Sequence, residues 1–241
     1  MSDAPALQFS AVCKRFDGRE VLRGIDLTVA RGEFFGLVGV NGAGKSTLLK
    51  CLLDFCLPDS GKIAIFGHDH RAPQARAPLA YLPERFNPPY YLRGRDFLQY
   101  MLQLQDLPWD AQAAAEMLHA LDLAVDALEK PVRAYSKGMT QKLGLAAALL
   151  AKRDLYVLDE PMSGLDPRAR AALKTRLQDL RQRKATLFFS SHALSDVEQL
   201  CDRMAILHGG KLCFVGAPAE CIQQQQAANL EEAYLRCIAA A

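Results

Sequence analysis

The chain begins with segments in which apolar side chains occupy every second position. Residues 25–29 show this alternation, which is typical of a strand that buries one face. The same spacing groups Leu7, Phe9 and Ala11 on the inward face of an earlier strand. Asp17-Gly18 lies between the two segments and predicts a tight turn. We therefore expect an antiparallel β layer at the start of the fold.

Later apolar segments are short and continuous, which indicates strands buried on both faces. They cover residues 34–38, 155–158 and 186–190. Asp166-Pro167 predicts a helix between the last two, because aspartate caps helix N-termini and proline suits the first turn. A strand, a helix and a strand at this spacing form a parallel unit. The second half of the chain is therefore expected to contain a mainly parallel sheet.

Local signals define the end of the chain. Ser195, with Glu198 three residues later, predicts the N-terminal cap of a helix. Gly209-Gly210 separates two apolar runs and predicts a β-hairpin. Residues 218–241 have a polar and helical pattern, so a helical tail is expected after the hairpin.

The middle of the chain changes to helical spacing. Five prolines in residues 71–93 allow no helix longer than a short turn there. Apolar positions then repeat with a helical period in residues 97–104, 113–121 and 139–150. We expect this block to be a helical insertion in an α/β fold.

A glycine-rich segment follows the first continuous apolar run. Gly39-Val40-Asn41-Gly42-Ala43-Gly44-Lys45-Ser46 fits G-x-x-x-x-G-K-[ST], the phosphate-binding P-loop. Its glycines let backbone N–H groups converge on phosphate oxygens, and the following helix adds its positive end. Lys45 would reach the β- and γ-phosphates, and Ser46 would ligate Mg²⁺. A glycine turn before an ordinary helix is the alternative. The predicted nucleotide contacts here are Gly39, Asn41, Gly42, Ala43, Gly44, Lys45, Ser46 and Thr47.

An acidic pair ends another buried strand. Asp159 follows residues 155–158 at the carboxyl edge, where open α/β sheets bind ligands, so we expect it in the Mg²⁺ shell. The adjacent Glu160 is predicted to orient and deprotonate an attacking water. A strand that ends in solvated acids would also explain the pair.

Further segments, in one order and at one spacing, resemble the nucleotide-binding subunit of an ABC transporter over essentially the whole chain. They are Ser163-Gly164-Leu165-Asp166 (D-loop), Ser190-Ser191-His192 (switch histidine), Tyr135-Ser136-Lys137-Gly138-Met139 (signature), Tyr81-Leu82-Pro83-Glu84 (Q-loop) and Phe16 (adenine-stacking aromatic). The resemblance implies a P-loop NTPase core that binds ATP and Mg²⁺. It also implies a dimer in which the P-loop of one subunit and the signature of the other enclose each ATP.

The resemblance assigns roles to individual residues. His192 would contact the γ-phosphate and sense its loss, although a helix-start histidine without a ligand is the alternative. Ser136 and Gly138 would face the ATP of the opposite subunit, and Ser136 can also cap the helix after it. Asp166 is counted among the nucleotide contacts. Phe16 would stack on adenine, with an ordinary strand aromatic as the alternative.

The chain departs from the commonest pattern of the family at two motifs. Lys137 and Met139 replace the usual glycine and glutamine of the signature, and Glu84 replaces the usual glutamine of the Q-loop. These variants resemble the subset that works with separate ABC-2-type export permeases. Glu84 could ligate Mg²⁺ beside Ser46 and Asp159, because a carboxylate binds Mg²⁺ more strongly than an amide.

The resemblance also divides the chain. We assign residues 1–241 to a single nucleotide-binding domain. Residues 1–84 and 151–217 are its core ATPase and β subdomains, 85–150 its helical subdomain and 218–241 its C-terminal tail.

The proline-rich segment after Glu84 is predicted to be the mechanical link to a membrane partner. It joins the ATP-binding core to the helical block that carries Ser136, and proline limits its backbone freedom. Phe86 and residues 88–91 offer aromatic and apolar surface, which is expected to form a docking groove. The alternative is an irregular loop that packs its aromatic side chains inward.

Composition and charge add limits on partners. A net charge of +2 over 241 residues gives no argument for a nucleic-acid partner, so none is expected. Residues 1–5 lack the basic and apolar parts of a secretory leader, so none is expected either. No uncharged apolar run approaches the roughly 20 residues that a membrane helix needs. Seven scattered cysteines without a C-x-x-C pair indicate free thiols, mostly buried, in a reducing compartment.

These expectations combine into one function. The chain is predicted to be an ATPase subunit that dimerises around two ATP and drives export through a separate integral membrane permease. Lys45, Glu160 and His192 form its predicted catalytic set. A homodimer is expected, peripheral on the cytoplasmic face of the cell membrane. The alternatives are a non-transport mechanochemical ATPase of the same group and a small-molecule phosphotransferase.

Overall fold

The computed structural model describes residues 4–240 of the chain. The strands are β1 (Leu7–Phe16), β2 (Arg19–Val29), β3 (Phe34–Val38), β4 (Ser60–Ile65), β5 (His68–Asp69), β6 (Leu79–Leu82), β7 (Leu155–Asp159), β8 (Thr186–Ser191), β9 (Arg203–His208) and β10 (Lys211–Gly216). The helices are α1 (Lys45–Leu52), α2 (Pro73–Arg76), α3 (Gly94–Gln103), α4 (Ala111–Ala120), α5 (Lys137–Leu150), α6 (Pro167–Gln182), α7 (Leu194–Leu200), α8 (Pro218–Gln224) and α9 (Leu230–Ala239). Short 3₁₀ turns at Val125–Glu129 and Val132–Ala134 precede α5.

Within residues 4–240 the strands form two sheets. The larger sheet has the order β10-β9-β3-β8-β7-β6, with β9, β3, β8, β7 and β6 parallel and β10 antiparallel to β9. The smaller sheet has the order β2-β1-β4-β5 and is antiparallel. Helices α3 to α5 are inserted between β6 and β7. The predicted α/β fold, with its antiparallel layer and helical insertion, is confirmed.

The larger sheet buries side chains on both of its faces. In β7, Tyr156 and Leu158 belong to the core formed with the inserted helices and α6. Leu155 and Val157 belong to the core shared with α1 and the smaller sheet. Because neighbouring side chains point to opposite faces, a strand in this position needs an unbroken apolar run. This explains why the central strands do not alternate in sequence.

The predicted inward face of β1 is wrong at one position. Leu7 and Phe9 are buried, but Ala11 is exposed and Val12 is buried in its place. Ala11 has a φ of 47°, its N–H donates to Asp26 Oδ1 at 2.8 Å, and the pairing with β2 shifts between Phe9 and Val12. Such a β-bulge changes which side chains face inward. Alternation of apolar residues alone does not reveal it.

The predicted cap of α7 is also wrong, whereas the other local signals are correct. The helix begins at Leu194, and Ala193 stands at the cap position instead of Ser195. The N–H of Ala193 donates to Ser191 Oγ at 3.0 Å. By contrast, Asp166 Oδ1 accepts from the first turn of α6 at 2.9 Å, as predicted. The turn at Asp17-Gly18 and the hairpin at Gly209-Gly210 are present as well.

The tail is helical, as predicted, but it is not polar throughout. Helices α8 and α9 bury Cys221, Leu230 and Cys237 in the core. The Sγ atoms of Cys221 and Cys237 lie 3.8 Å apart, and those of Cys51 and Cys56 lie 3.4 Å apart. These separations exceed a disulfide bond, which is about 2.05 Å, so both pairs are free thiols.

Three strands, β4, β5 and β6, were not predicted, and β5 has only two residues. β4 begins with polar residues and buries Ile63 and Ile65 only at its end. β6 has four residues and lies between Pro78 and Pro83. No helix in the described part of the chain is long and apolar enough to cross a membrane. The expected lack of a leader rests partly on residues 1–3, which lie outside the described residues.

Candidate nucleotide-binding site

A glycine-rich loop joins β3 to α1 and is shaped by close backbone approaches. A Cβ atom on Gly39 would lie 2.5 Å from the carbonyl oxygen of Leu207 in β9, so only glycine fits there. Gly44, at the cap position of α1, has a φ of 114°, which side chains rarely allow. Because glycine offers no capping side chain, the N–H groups of the first turn remain directed into the loop. Such N–H groups form an anion site.

The loop opens into a cavity of about 470 Å³. Its lining consists of residues 40–47 apart from Ala43, together with Val21, Glu84, Arg85 and Glu160. The predicted P-loop, the predicted Q-loop acid and the acid after β7 therefore meet at one opening. Ala43 is buried behind the loop.

Lys45 is buried at the centre of this opening, with 6% of its surface exposed. Its Nζ donates to the carbonyl oxygen of Gly39 at 2.6 Å and lies 3.6 Å from Glu160 Oε1. A buried ammonium group needs partners of this kind. Phosphate oxygens can replace both of them, so Lys45 is suited to bind a phosphate group.

Asp159 lies at the end of β7 and is also buried. It accepts a hydrogen bond from Ser190 Oγ in β8. Burial raises the pKa of Asp159, and the negative charges of Glu84 and Glu160 raise it further, while hydrogen bonds from Ser190 and Ser46 lower it. A carboxylate in this position favours a bound cation, because the cation offsets both burial and the neighbouring acids.

The donor set around Asp159 fits Mg²⁺. The described residues contain no group of three or more histidine, cysteine, aspartate or glutamate side chains arranged to hold a metal by themselves. Mg²⁺ typically takes one or two carboxylates and fills its shell with water and substrate phosphates. Ser46, whose hydroxyl lowers the pKa of Asp159, and Asp159 itself would supply one hydroxyl and one carboxylate to such a site. Direct ligation by Glu84 stays a prediction.

Glu160 connects Lys45 to His192. Its Oε2 lies 2.8 Å from His192 Nδ1, and its own N–H donates to Ser190 Oγ at 2.9 Å. The side chain of Glu160 is 9% exposed, whereas that of His192 is 64% exposed. The three residues of the predicted catalytic set therefore form a chain of contacts from the loop to the surface.

Besides Gly39 and Ala43 of the loop itself, four predicted nucleotide contacts are absent from the cavity lining. Ser136 caps α5, accepting from Met139 N–H at 3.2 Å, and a Cβ atom on Gly138 would lie 3.2 Å from Gly164 O. Asp166 caps α6. Phe16 is 45% exposed at the end of β1, with Lys14 Nζ 5.2 Å from its ring centroid. Their contacts with nucleotide stay predictions.

Sequence reasoning missed two polar residues that organise the site. Ser190 Oγ donates to Asp159 and accepts from the N–H of Glu160, so it ties together both acids at the end of β7. A serine at the end of an otherwise apolar run was the available signal. Gln141 is buried in α5, and its Nε2 donates to Pro161 O at 3.2 Å. Its pattern in sequence is that of a helix surface, so no signal separated it from exposed neighbours.

The fold and the loop define a P-loop nucleotide-binding domain. The sequence model of the family described as ABC transporter matches residues 22–163. An uncharacterized ABC transporter ATP-binding protein of Nostoc sp. is 42% identical over 216 residues, which are 87% of this chain and 64% of that relative. This chain belongs to the ABC transporter family, as its motifs predicted.

Further similarities agree with this assignment. A Nod factor export ATP-binding protein of Burkholderia thailandensis is 34% identical over 97% of this chain and 78% of its own length. The solved structure of an ATP-binding subunit of an ABC transporter is similar to this chain, with a TM-score of 0.87 and 29% sequence identity. The match covers 96% of this chain and 99% of that chain. The chain spans less than two thirds of the length of the Nostoc relative.

Proposed function

We propose that this chain is the ATP-hydrolysing subunit of an ABC exporter and acts on the cytoplasmic face of a membrane with a separate permease. The observation that carries the proposal is the continuous contact from Lys45 through Glu160 to His192 at the mouth of the loop cavity. It joins a phosphate-binding cation, a base and a group that can respond to the terminal phosphate. The export-type relative supports the direction of transport.

The chemistry is the attack of water on the γ-phosphorus of ATP. Glu160 accepts the proton of the water as the new P–O bond forms and the bond to the β-phosphate oxygen breaks. Lys45 stabilises the charge on the transferring group and exchanges its contact with Glu160 for phosphate oxygens, which leaves the carboxylate free to act. His192 holds Glu160 Oε2 in place. Ser46 and Asp159 would hold Mg²⁺, whose charge would offset that of the phosphates.

The arrangement of Ser136 supports a dimer as the active form. Ser136 is exposed at the N-terminus of α5 and is not part of the cavity around the loop of its own chain. A helix N-terminus with an exposed hydroxyl can bind a phosphate group presented by another molecule. We propose that two copies enclose two ATP, each between the loop of one copy and Ser136 of the other.

The proposed function is tested by purifying the tagged chain from native membranes and identifying what accompanies it. We expect the complex to contain an integral membrane permease and the same preparation to hydrolyse Mg-ATP. Hydrolysis without any membrane partner would favour a non-transport mechanochemical ATPase instead. Absence of hydrolysis in the complex would contradict the catalytic assignment.

Mixing two inactive variants should restore part of the hydrolysis if Ser136 acts across a dimer. A heterodimer of Ser136→Arg and Lys45→Ala chains contains one intact site and one doubly altered site. We expect roughly half of the activity of the unmodified dimer, because one of two sites remains. The measurement is Mg-ATP hydrolysis by heterodimers isolated with two different tags.

The matched control carries the same two changes in one chain. Heterodimers of the unmodified chain with the Lys45→Ala/Ser136→Arg chain contain no intact site, so they should be inactive. If each site instead lay within one chain, the activities would be reversed: this control mixture would be half active and the first mixture inactive.

A second cavity, of about 690 Å³, lies between β6 and the inserted helices and is the proposed docking groove for the permease. Of the predicted aromatic surface, Phe86 lines this cavity, whereas Tyr90 and Tyr91 lie outside its lining. Phe86 is half-buried, and its ring lies 5.6 Å from that of Phe97, so the expected display of its ring holds only in part. Tyr90 and Tyr91 are 67% and 68% exposed, so they remain available. The Phe86 ring can pack beside Phe97 because Gly144 in α5 leaves room for it.

Replacing Tyr90 and Tyr91 with aspartate should prevent assembly with the permease while ATP binding persists. Two charges on this surface would oppose burial against an apolar partner. Copurification with the permease and binding of a fluorescent ATP analogue are measured in parallel. Leu235→Asp, at an exposed position of α9, is the control and should assemble normally. Normal assembly of the double variant would remove these tyrosines from the docking surface.

A further inference from the structure

Glu160 has an unusual backbone conformation. Its φ is 49°, in the left-handed region, and the next residue is Pro161, which restricts the preceding residue further. Two hydrogen bonds hold the turn: the N–H of Glu160 donates to Ser190 Oγ at 2.9 Å, and the N–H of Ser163 donates to Glu160 O at 3.0 Å. The direction of the carboxylate depends on this turn, because the backbone angles set where Cβ points.

Gln141 supplies an additional anchor from the inserted helices. Its Nε2 donates to Pro161 O at 3.2 Å, and the residue is 6% exposed. Residues 143–149 of the same helix are glycine, leucine and alanine, and they are buried. A buried amide in such an apolar helix is stabilised by a specific partner. Here that partner is the residue directly after Glu160.

The face of α5 that carries Gln141 also lies close to residues after Pro161. A Cβ atom on Gly138 would lie 3.2 Å from Gly164 O, and Lys142 Nζ lies 4.0 Å from Asp166 Oδ2. Positions 138, 141 and 142 are about one helical turn apart and share a face of the helix. The turn after Glu160 is therefore packed along α5 at several points.

We propose that Gln141 is a positioning residue for Glu160. It fixes the turn at Pro161, and it makes the direction of the carboxylate depend on the position of α5 in the same chain. Since α5 begins at Ser136, the contact couples the predicted nucleotide-facing end of the helix to the base on the neighbouring strand. This inference rests on the proposed function of Glu160 as the base.

The proposal is tested with Gln141→Met, which keeps the side-chain length and removes the donor. We expect single-turnover hydrolysis to fall roughly tenfold or more, because small displacements of a catalytic group are costly. The Kd for Mg-ATP should change by less than about twofold, since binding groups are untouched. Leu143→Met, a volume-conserving change on another face of the same helix, is the matched control and should hydrolyse normally at a similar melting temperature.

A double variant separates positioning from a general loss of stability. If Gln141 acts through Glu160, adding Gln141→Met to Glu160→Gln should lower the residual hydrolysis little further. The proposal would be overturned if the losses of hydrolysis caused by the two substitutions multiplied. It would also be overturned if Gln141→Met lowered the melting temperature and left hydrolysis unchanged. Failure of the unmodified chain to hydrolyse ATP would instead refute the proposed function, so the two failures are distinguishable.

Discussion

Changing Glu160 to glutamine is expected to lower ATP hydrolysis by about two or more orders of magnitude while Mg-ATP still binds. The amide has nearly the same shape, so contacts with Lys45 and His192 can be kept, but it cannot accept the proton of the attacking water. Loss of the carboxylate charge also reduces repulsion of the terminal phosphate. ATP is therefore retained, and a dimer with ATP should accumulate. Single-turnover hydrolysis and size-exclusion chromatography with and without Mg-ATP measure these effects.

A second buried glutamate provides the control for this change. Glu33 is 8% exposed, and its carboxylate lies 3.1 Å from Arg203, outside the lining of the loop cavity. Glu33→Gln applies the same chemical change there and should leave hydrolysis within a few-fold of normal. If Glu160→Gln turns over at the rate of Glu33→Gln and stays monomeric with Mg-ATP, Glu160 is not the base.

Lys45→Ala is expected to remove nucleotide binding or reduce hydrolysis by at least about two orders of magnitude. Lys45 is the cation of the loop, and its charge would stabilise the transferring phosphoryl group. The substitution also leaves the buried Glu160 carboxylate without its nearest cation, so the melting temperature should fall. Equilibrium binding of Mg-ATP, hydrolysis and thermal unfolding are the measurements.

Lys50 is the control for the lysine substitution. It lies in the last turn of the same helix, α1, and is exposed. Lys50→Ala should preserve both binding and hydrolysis. Near-normal turnover by Lys45→Ala would contradict the assignment of residues 39–46 as the phosphate-binding loop.

The features predicted correctly from the sequence are those that depend on residues close together along the chain. The loop around Lys45 and the caps Ser136 and Asp166 follow from residue types within a few positions, and the structure contains them where expected. Short continuous apolar runs likewise predicted the central strands β3, β7 and β8, because strands buried on both faces carry apolar side chains at successive positions.

Features that depend on distant contacts could not be predicted in the same way. The bulge at Ala11 is held by Asp26, and Phe86 turns inward because Gly144 leaves space in another element. Ser190 gains its role only because β8 pairs with β7, so that its hydroxyl meets Asp159. In each case the deciding partner is more than ten residues away, and spacing along the chain carries no record of it.

Two glycines pack closely around the carbonyl oxygen of Val21, and this packing should couple motions of the segments that meet there. Cβ atoms on Gly44 and Gly210 would lie 2.9 Å and 2.7 Å from Val21 O, so the loop, the β9–β10 hairpin and β2 meet at that oxygen. Gly39 is pressed against Leu207 in the same strand pair. Tightly packed backbones transmit displacement instead of absorbing it. A nucleotide that rigidifies the loop should therefore slow amide hydrogen exchange in β2, whose Val21 lines the loop cavity, and also in the hairpin, which contributes no residue to that lining.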